Sequence, residues 1–163
     1  MTSPADSDTR CGFIAVIGAP NAGKSTLVNR IVGAKVSIVS HKVQTTRMPI
    51  RGIAMAGHSQ LIFIDTPGIF KPKRRLDRAM VQAAWGGAQD ADMIAVVVDA
   101  KGGLGPKITG IVEGLAARPE PKVLILNKVD IADKGKLLIH AQRLNELVPF
   151  AETLMVSAAT GDG

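Results

Sequence analysis

Residues 12–33 read GFIAVIGAPNAGKSTLVNRIVG, and this stretch decides the fold. Its first part, 12–18, is a short apolar run closed by a glycine, as is typical of a buried parallel strand. Residues 25–33 then carry apolar side chains at helical spacing, with Gly33 placed as a stop signal. The apolar stripe consists of Leu27, Val28, Ile31 and Val32. The stretch therefore predicts a strand, a glycine-containing loop and a helix in immediate succession.

The loop inside this stretch, from Gly18 to Ser25, matches the motif G-x-x-x-x-G-K-[ST]. Gly18 and Gly23 allow the backbone to bend so that successive N–H groups surround a β-phosphate, next to the positive end of the helix dipole. Lys24 is placed to contact the β- and γ-phosphates, and Ser25 to offer a hydroxyl to Mg²⁺. We predict a P-loop whose nucleotide-binding residues are Asn21, Ala22, Gly23, Lys24, Ser25 and Thr26.

A second motif, NKVD at residues 127–130, indicates which base is bound. The Asp130 carboxylate can accept hydrogen bonds from N1–H and the 2-amino group of guanine, donors that adenine lacks. Asn127 can bond the N7 edge, and the stem of Lys128 can lie over the base plane. A weaker indication follows the next strand, where the amide of Ala158 could read the guanine carbonyl. The residues of that segment are Ser157, Ala158 and Ala159. Guanine is therefore the predicted base.

A third motif, DTPG at residues 65–68, is suited to sensing a γ-phosphate. Asp65 ends a strand and can hold Mg²⁺ through water, while the Gly68 N–H can bond the γ-phosphate. The polar loop 34–49 supplies Thr46, whose hydroxyl could complete the Mg²⁺ shell; Thr45 is the rival ligand, and the two stay open. We expect a triphosphate to order both loops and a diphosphate to release them. The candidate catalytic residues are Lys24, Thr46 and Gly68.

The rest of the chain alternates strand-like and helix-like segments. The predicted strands are 12–18, 50–56, 60–65, 92–100, 122–127 and 152–157, with a hairpin turn at 57–59. The predicted helices are 25–33, a segment that leads from the basic stretch 71–78 to about Gly86, 106–117 and 134–148. Such alternation predicts an α/β fold with right-handed crossovers. With the P-loop, the fold class is a P-loop NTPase G domain: a mostly parallel six-stranded sheet with helices on both faces.

Composition bounds the remaining possibilities. A chain of 163 residues, 46% hydrophobic and 21% charged, suits one globular domain. Residues 1–10 lack the apolar run of a secretory signal and are expected to be a disordered tail, which leaves 11–163 as the domain. One cysteine, Cys11, is consistent with a reducing, cytosolic setting. The net charge of +6 fits either a solvated surface or contact with nucleic acid or anionic lipid.

The ordered motifs GAPNAGKS, QTTR, DTPG, NKVD and SAA resemble those of the translation-factor-related GTPases. More narrowly, VSIVSHKVQTTR followed by IFIDTPGIFKPKRRLD is similar to the Era-like GTPases, ribosome-assembly proteins of the TrmE-Era-EngA group. The resemblance runs from about residue 12 to residue 163. It implies Mg²⁺-dependent hydrolysis of GTP to GDP and phosphate, during 16S rRNA maturation and 30S subunit assembly. It implies the cytoplasm as location, and leaves peripheral association with the inner membrane open.

The family also carries a C-terminal KH domain that binds 16S rRNA. Because this chain stops at Gly163, we expect a G domain truncated before its last helix, with the KH domain absent. Without that helix, one face of the sheet would be uncovered. The sequence leaves the oligomeric state undetermined.

Water positioning is the open part of the predicted chemistry. The residue after Gly68 is Ile69, which cannot orient a water as a glutamine does, so intrinsic hydrolysis should be slow. By resemblance, Asn21 is a candidate K⁺ ligand beside the phosphates, with K⁺ in place of an arginine finger. Alternatively, Asn21 caps the loop through local hydrogen bonds. Both interpretations stay open.

Three alternatives to the Era-like role remain. The domain could belong to a tandem-G-domain ribosome GTPase or to a ferrous-iron transporter, which share the chemistry. It could also be a nucleotide-dependent binding module whose turnover is incidental.

The basic flank of the DTPG segment is either solvated or in contact with rRNA or a partner. It consists of Lys71, Lys73, Arg74, Arg75 and Arg78.

Overall fold

Six strands and three helices form the parts of the chain that the computed structural model describes, residues 10–19, 21–32, 50–65 and 91–163. The strands are β1 (Arg10–Ile17), β2 (Ile50–Ala56), β3 (Ser59–Asp65), β4 (Met93–Asp99), β5 (Lys122–Asn127) and β6 (Glu152–Met155). The helices are α1 (Lys24–Ile31), α2 (Pro106–Gly114) and α3 (Lys134–Leu147). The predicted helix that ends near Gly86 and the loop 34–49 lie outside the described residues.

The strands form one sheet in the order β2-β3-β1-β4-β5-β6. Every neighbouring pair is parallel except β2 with β3, which are antiparallel and joined at Gly57 and His58. The register pairs Val16 with Asp65 and Asp99 with Asn127. The carboxyl ends of β1, β3, β4 and β5 therefore meet at one edge, where ligands of open α/β sheets bind. The predicted mostly parallel, six-stranded sheet is confirmed.

Helices cover both faces of the sheet because side chains of a strand alternate between its two sides. One apolar layer contains Phe13, Ala15 and Ile17 of β1 and packs against α2 and α3. The other contains Ile14 and Val16 and packs against α1. In the two central strands, β1 and β4, residues 13–17 and 94–98 are buried on both sides, which is why these two runs are apolar without interruption. The predicted placement of helices on both faces is confirmed.

Several element bounds differ from the predictions. β1 begins at Arg10, so the last residue of the predicted tail, and Cys11 after it, lie in a strand. Ile31 is 42% exposed, although the helical stripe predicted its burial, because it borders an open groove beside β6. α2 ends at Gly114 rather than at residue 117, and β6 ends at Met155. These differences leave the sheet order and the loops at its carboxyl edge unchanged.

Candidate functional site

The predicted P-loop joins β1 to α1, and Lys24 at its end donates hydrogen bonds to carbonyl groups of the same loop. Lys24 donates from Nζ to the carbonyl oxygens of Gly18 and Ala19, at 2.8 and 3.1 Å. The Ala22 N–H also donates to the Ala19 carbonyl, at 3.2 Å. Gly23 caps α1 with φ 93°, a left-handed conformation that glycine adopts without strain. The Lys24 ammonium thus bonds back to its own loop, and Lys24 begins α1, at whose N-terminus an anion is favoured.

Both motif glycines occupy positions that have no room for a side chain. A Cβ at Gly18 would overlap the Val97 carbonyl oxygen of β4, and a Cβ at Gly23 would overlap the side-chain nitrogen of Asn127. The spacing of the motif therefore reflects two close approaches. The P-loop lies close to β4 at Gly18, and it lies close to the NKVD segment at Gly23.

Asn127, the last residue of β5, ties three segments together although it is only 2% exposed. Its Nδ2 donates to the Ala22 carbonyl of the P-loop at 3.0 Å. Its Oδ1 accepts from the Ala158 N–H at 2.9 Å. A buried amide must satisfy both its donor and its acceptor, and these two bonds do so. The Ala158 amide, predicted to read the guanine carbonyl, is thus engaged with Asn127 in this structure.

Lys128 bridges the NKVD segment to two further elements. Its backbone is left-handed, with φ 67°, and its Nζ donates to the Asn21 carbonyl at 2.6 Å and to Asp99 Oδ2 at 2.9 Å. Burial raises the pKa of Asp99, but the bonds from Lys128 and from the amides of Gly102 and Lys101 outweigh it, so that the pKa lies below its ordinary value. These contacts hold the lysine stem between the P-loop and β4.

Asp130 and Ser157 form the third part of the arrangement. The Ser157 hydroxyl donates to Asp130 Oδ1 at 2.8 Å, and Ser157 itself is buried. The Asp130 carboxylate is exposed, so it can accept donors from a base. Ala159, next in the SAA segment, is also exposed. The geometry presents a carboxylate beside a fixed amide network, which suits a base that carries two adjacent N–H donors.

The metal side of the site is described in part. Ser25 is exposed at the first turn of α1, and its Oγ accepts a hydrogen bond from Arg51 of β2. Asp65 ends β3 beside Val16, but its side chain lies outside the described residues. Thr45, Thr46, Gly68 and Ile69 also lie outside them.

A hydroxyl and a carboxylate are oxygen ligands of the kind Mg²⁺ prefers, and Mg²⁺ often takes its remaining ligands from phosphates and water. Within the described ranges, no group of three or more His, Cys, Asp or Glu is placed to hold a metal ion. By their chemistry, the hydroxyl of Ser25 and the carboxylate of Asp65 fit Mg²⁺.

The structure brings most predicted residues to one edge of the sheet. Those described there are Asn21, Ala22, Gly23, Lys24, Ser25, Thr26, Asn127, Lys128, Asp130, Ser157, Ala158 and Ala159. Sequence reasoning missed Asp99, Arg51 and Arg30. Asp99 had a usable signal, because it ends a predicted strand at the same edge. Nothing in the sequence around Arg51 or Arg30 indicated that either residue contacts the site.

Comparison with known proteins identifies the family. Residues 13–128 match the family described as 50S ribosome-binding GTPase. The chain belongs to this GTPase family. The resemblance to the Era-like GTPases is confirmed by two relatives named GTPase Era. The protein of Brucella suis biovar 1 is 58% identical over 167 residues, covering 99% of this chain and 54% of the relative. The protein of Rhizobium meliloti is 61% identical over 155 residues, covering 95% and 50%.

Solved structures agree with this assignment. One is Era in complex with MgGDPNP and nucleotides 1506–1542 of 16S ribosomal RNA, with 35% identity and a TM-score of 0.73 over 95% of this chain and 53% of that one. Another is a variant of Aquifex aeolicus Era bound to GDP·AlF4⁻, with 35% identity and a TM-score of 0.71 over 94% and 53%. The chain spans about half the length of the relatives it matches.

Proposed function

We propose that this chain is the guanine-nucleotide-binding domain of an Era-like GTPase, which hydrolyses GTP to GDP and phosphate. The observation that carries the proposal is Asn127, whose one side chain joins the P-loop carbonyl of Ala22 to the amide of Ala158. This side chain thus connects the predicted phosphate-binding loop with the predicted base-reading segment. The similarity to Era structures bound to MgGDPNP and GDP·AlF4⁻ supports the same ligand class.

The described residues would act by binding and orientation. Lys24 exchanges its bonds to Gly18 and Ala19 for the phosphates, and the helix N-terminus adds electrostatic stabilisation of the transferring group. Asn127 and Lys128 fix the base plane, and Asp130 accepts its two donors. This division of labour is typical of phosphoryl transfer, in which positioning and charge stabilisation supply most of the catalysis.

Nucleotide binding and turnover test this proposal together. GDP should bind in competition with GTP, ADP should bind at least roughly 10³-fold more weakly, and phosphate should be released from GTP in the presence of Mg²⁺. Lys24→Ala should abolish measurable turnover. Equal binding of ADP and GDP would contradict the proposal.

We propose Mg²⁺ as the cofactor, held by Ser25 and Thr46 directly and by Asp65 through water, with Gly68 at the γ-phosphate. When bound, the ion would neutralise negative charge on the phosphate oxygens. Support comes from the oxygen ligands and from the MgGDPNP complex of a relative. Thr46→Ala should raise the Mg²⁺ concentration needed for GTP turnover. A similar effect of Thr45→Ala alone would assign the ligand to Thr45 instead.

K⁺ beside Asn21 is a further proposal for stabilising the transition state. Asn21 has φ 64°, a left-handed conformation that asparagine tolerates, and its carbonyl contacts Lys128 Nζ. Its side chain can be tested as an ion ligand or as a local cap of the loop. Hydrolysis in KCl should exceed hydrolysis in NaCl at equal ionic strength, and Asn21→Ala should remove the difference. Equal rates for the unmodified chain would contradict K⁺ use.

For the whole protein, we propose a role in 16S rRNA maturation and 30S subunit assembly in the cytoplasm, with rRNA contact through a C-terminal KH domain. The supporting observations are the 58–61% identity to proteins named GTPase Era and the relative solved with a 16S rRNA fragment. None of the three helices described in the structure has the length and hydropathy of a membrane-spanning segment.

Binding of the 3′ end of 16S rRNA by a chain that continues beyond Gly163, but not by this chain, would support the assignment. A second P-loop or membrane spans in the longer chain would favour a tandem-G-domain GTPase or an iron transporter. A binding module with incidental turnover would still bind to and dissociate from its target when GTP is replaced by a non-hydrolysable analogue.

We also propose that the last helix of the domain follows Gly163 and packs beside α1 and β6. A groove of about 310 Å³ lies there, lined by residues that include Leu27 and Gly163. Ile31 and Leu154, which also line it, are 42% and 45% exposed. Leu154→Ser should therefore lower the melting temperature of a chain extended beyond Gly163 and leave that of this chain nearly unchanged. Equal effects on both would contradict the proposal.

A further inference from the structure

Arg30 lies in the last turn of α1, away from the P-loop, yet it contacts the segment that carries Ser157. Its Nε donates to the Ala158 carbonyl at 2.6 Å, and its Nη2 donates to the Ala159 carbonyl at 2.8 Å. Two parallel donors on one planar guanidinium match two successive carbonyls, which a lysine cannot reproduce with the same geometry. The arginine therefore fixes the orientation of two consecutive peptide units.

Those peptide units transmit the contact toward the base-reading carboxylate. In a trans peptide the N–H points opposite to the carbonyl, so the Ala159 carbonyl directed at Arg30 turns the Thr160 N–H the other way. The Thr160 N–H donates to Ser157 Oγ at 3.2 Å. Ser157 Oγ lies 2.8 Å from Asp130 Oδ1. Because an ionised carboxylate only accepts, the serine hydroxyl must donate to it and accept from Thr160.

The result is a continuous chain of hydrogen bonds with one direction of donation. It runs from the Arg30 guanidinium through the Ala159–Thr160 peptide and the Ser157 hydroxyl to the Asp130 carboxylate. Consecutive hydrogen bonds of this kind polarise one another and hold their members in one geometry. We name this chain of four groups the Arg30 relay.

The turn that contains the relay is hydrogen-bonded within itself and has a glycine where the Arg30 guanidinium approaches it. The Gly161 N–H donates to the Ser157 carbonyl at 2.8 Å, and the Ser157 N–H donates to the Asp162 carbonyl at 2.8 Å. Gly161 has φ 85°, and a Cβ there would lie 2.7 Å from Arg30 Nη1. The backbone conformation favours glycine here, and a side chain at this position would displace the guanidinium.

We propose that Arg30 is a positioning residue for guanine specificity, which acts through the Arg30 relay on the orientation of Asp130. This inference rests on the proposed function, because it assumes that Asp130 accepts donors from guanine. An Asp130 held in one orientation can accept from N1–H and the 2-amino group at once. A freely rotating one still accepts from N1–H, so the relay matters most for the 2-amino group.

Hypoxanthine provides the test, since it keeps N1–H and lacks the 2-amino group. We would measure dissociation constants of GDP and IDP for the unmodified chain, Arg30→Met and Arg30→Lys, with Arg143→Met as the matched control on α3. Arg30→Met should reduce the preference for GDP over IDP by roughly 3–10-fold, within the range expected for the net contribution of one ordinary hydrogen bond. Arg30→Lys should restore part of it, and Arg143→Met should leave it unchanged.

Equal weakening of GDP and IDP binding by Arg30→Met would overturn the proposal, because it would show that Arg30 only fastens the turn to α1. An unchanged preference would overturn it as well. Failure of the unmodified chain to prefer GDP over ADP would instead refute the proposed function.

A double-mutant cycle with Ser157→Ala tests whether Arg30 acts on Asp130 through the Ser157 hydroxyl. The relay predicts that adding Arg30→Met to Ser157→Ala changes the GDP preference little further. Additive effects would overturn the relay. Melting temperatures measured alongside report any general loss of stability.

Discussion

The residues that would contact the base and those that would contact the phosphates are held by different kinds of partner. In the base half, defined as Asn127, Lys128, Asp130, Ser157 and Ala158, side chains of one segment bond the next, and Asp130 remains open to a base. In the phosphate half, defined as residues 18–25, Lys24 bonds its own loop and Ser25 bonds Arg51.

This contrast separates recognition from chemistry. In the base half, Asn127, Lys128 and Ser157 are already held in place, so little ordering should be needed when a base arrives beyond release of the Ala158 amide from Asn127. In the phosphate half, a nucleotide and its metal must replace existing bonds of Lys24 and Ser25. We infer that base discrimination depends on a preformed geometry, whereas phosphate and metal binding are coupled to local rearrangement.

The largest expected effect comes from changing the acceptor in the base half. Asp130→Asn presents an amide NH₂ toward the 2-amino group of guanine, so that two donors face each other, whereas the C2 carbonyl of xanthine would accept from it. GDP affinity should fall by roughly 10²–10⁴-fold, and XDP should bind better than GDP. Calorimetric titration with both nucleotides measures this.

Asp133→Asn is the control, since Asp133 caps α3 outside the site and asparagine caps equally well. Retained GDP preference in Asp130→Asn would show that this carboxylate does not read the base.

A smaller effect is expected where the two halves touch. Gly23→Ala forces a left-handed residue with φ 93° to carry a Cβ that overlaps the Asn127 amide. We expect GDP affinity to fall by about 10–100-fold because displacement of the Asn127 amide disturbs both halves, while the left-handed conformation itself costs about 1–2 kcal/mol of stability. Fluorescence titration with a labelled GDP measures the loss.

Gly57→Ala isolates the contribution of the overlap. Gly57 has a similar conformation, with φ 61°, but a Cβ added there would meet nothing within 4 Å. Its substitution should therefore lower stability without changing GDP affinity. Equal losses of affinity in both variants would mean that the contact between Gly23 and Asn127 is unimportant.

Removal of the Asn127 side chain tests the link between the halves directly. Asn127→Ala leaves the Ala22 carbonyl and the Ala158 N–H without their partner, so the free energy of unfolding should fall by about 1–3 kcal/mol. Asn145→Ala is the matched control, because Asn145 also makes two hydrogen bonds, to Ala141 and Thr153.

Urea denaturation of both variants, with and without GDP, measures the difference. Asn127→Ala alone should lose most of the stabilisation that GDP provides. If GDP stabilises both variants equally, Asn127 does not link the two halves.

The smallest expected effect concerns the ion pair that holds Lys128. The pKa of Asp99 is lower in the folded chain than in the unfolded chain, where it is about 3.9. Ionised Asp99 therefore stabilises the folded chain fully when the pH lies above that unfolded pKa. That contribution is lost as the pH falls through the folded pKa. The pair is partly exposed, so Asp99→Asn should cost less than about 1 kcal/mol at pH 7.

The stability difference between the unmodified chain and Asp99→Asn should stay constant from pH 7 to about pH 5 and shrink below about pH 4. Urea denaturation across this range measures it. A difference that grows as the pH falls would contradict the assigned sign.

Local motifs explain how much of this site the sequence could predict. The loops after β1 and β5 were predictable because G-x-x-x-x-G-K-[ST] and NKVD each place several interacting groups within a few residues. Asp99 was predictable in principle, since a strand that ends in a carboxylate meets the same edge. Arg30 was not, because 128 positions separate it from Ala158 and its contact depends on how α1 lies against the turn.

The fold followed from alternation of strands and helices, while the ends of the elements did not. Periodicity extends the predicted α2 to residue 117, but the helix ends at Gly114, where a poor helix former weakens it. Ile31 fits the apolar stripe of α1, yet it faces the groove rather than the core. The stripe indicates an apolar surface, and only packing determines what covers it.

The ratio of the ADP and GDP dissociation constants, measured once with MgCl₂ and once with EDTA, tests the contrast between the two halves most directly. A preformed base half predicts that both nucleotides bind more weakly in EDTA while the ratio stays above roughly 10³. A ratio that falls below about 10 when Mg²⁺ is removed would show that the base half is assembled by the phosphate half, and would contradict a preformed base half.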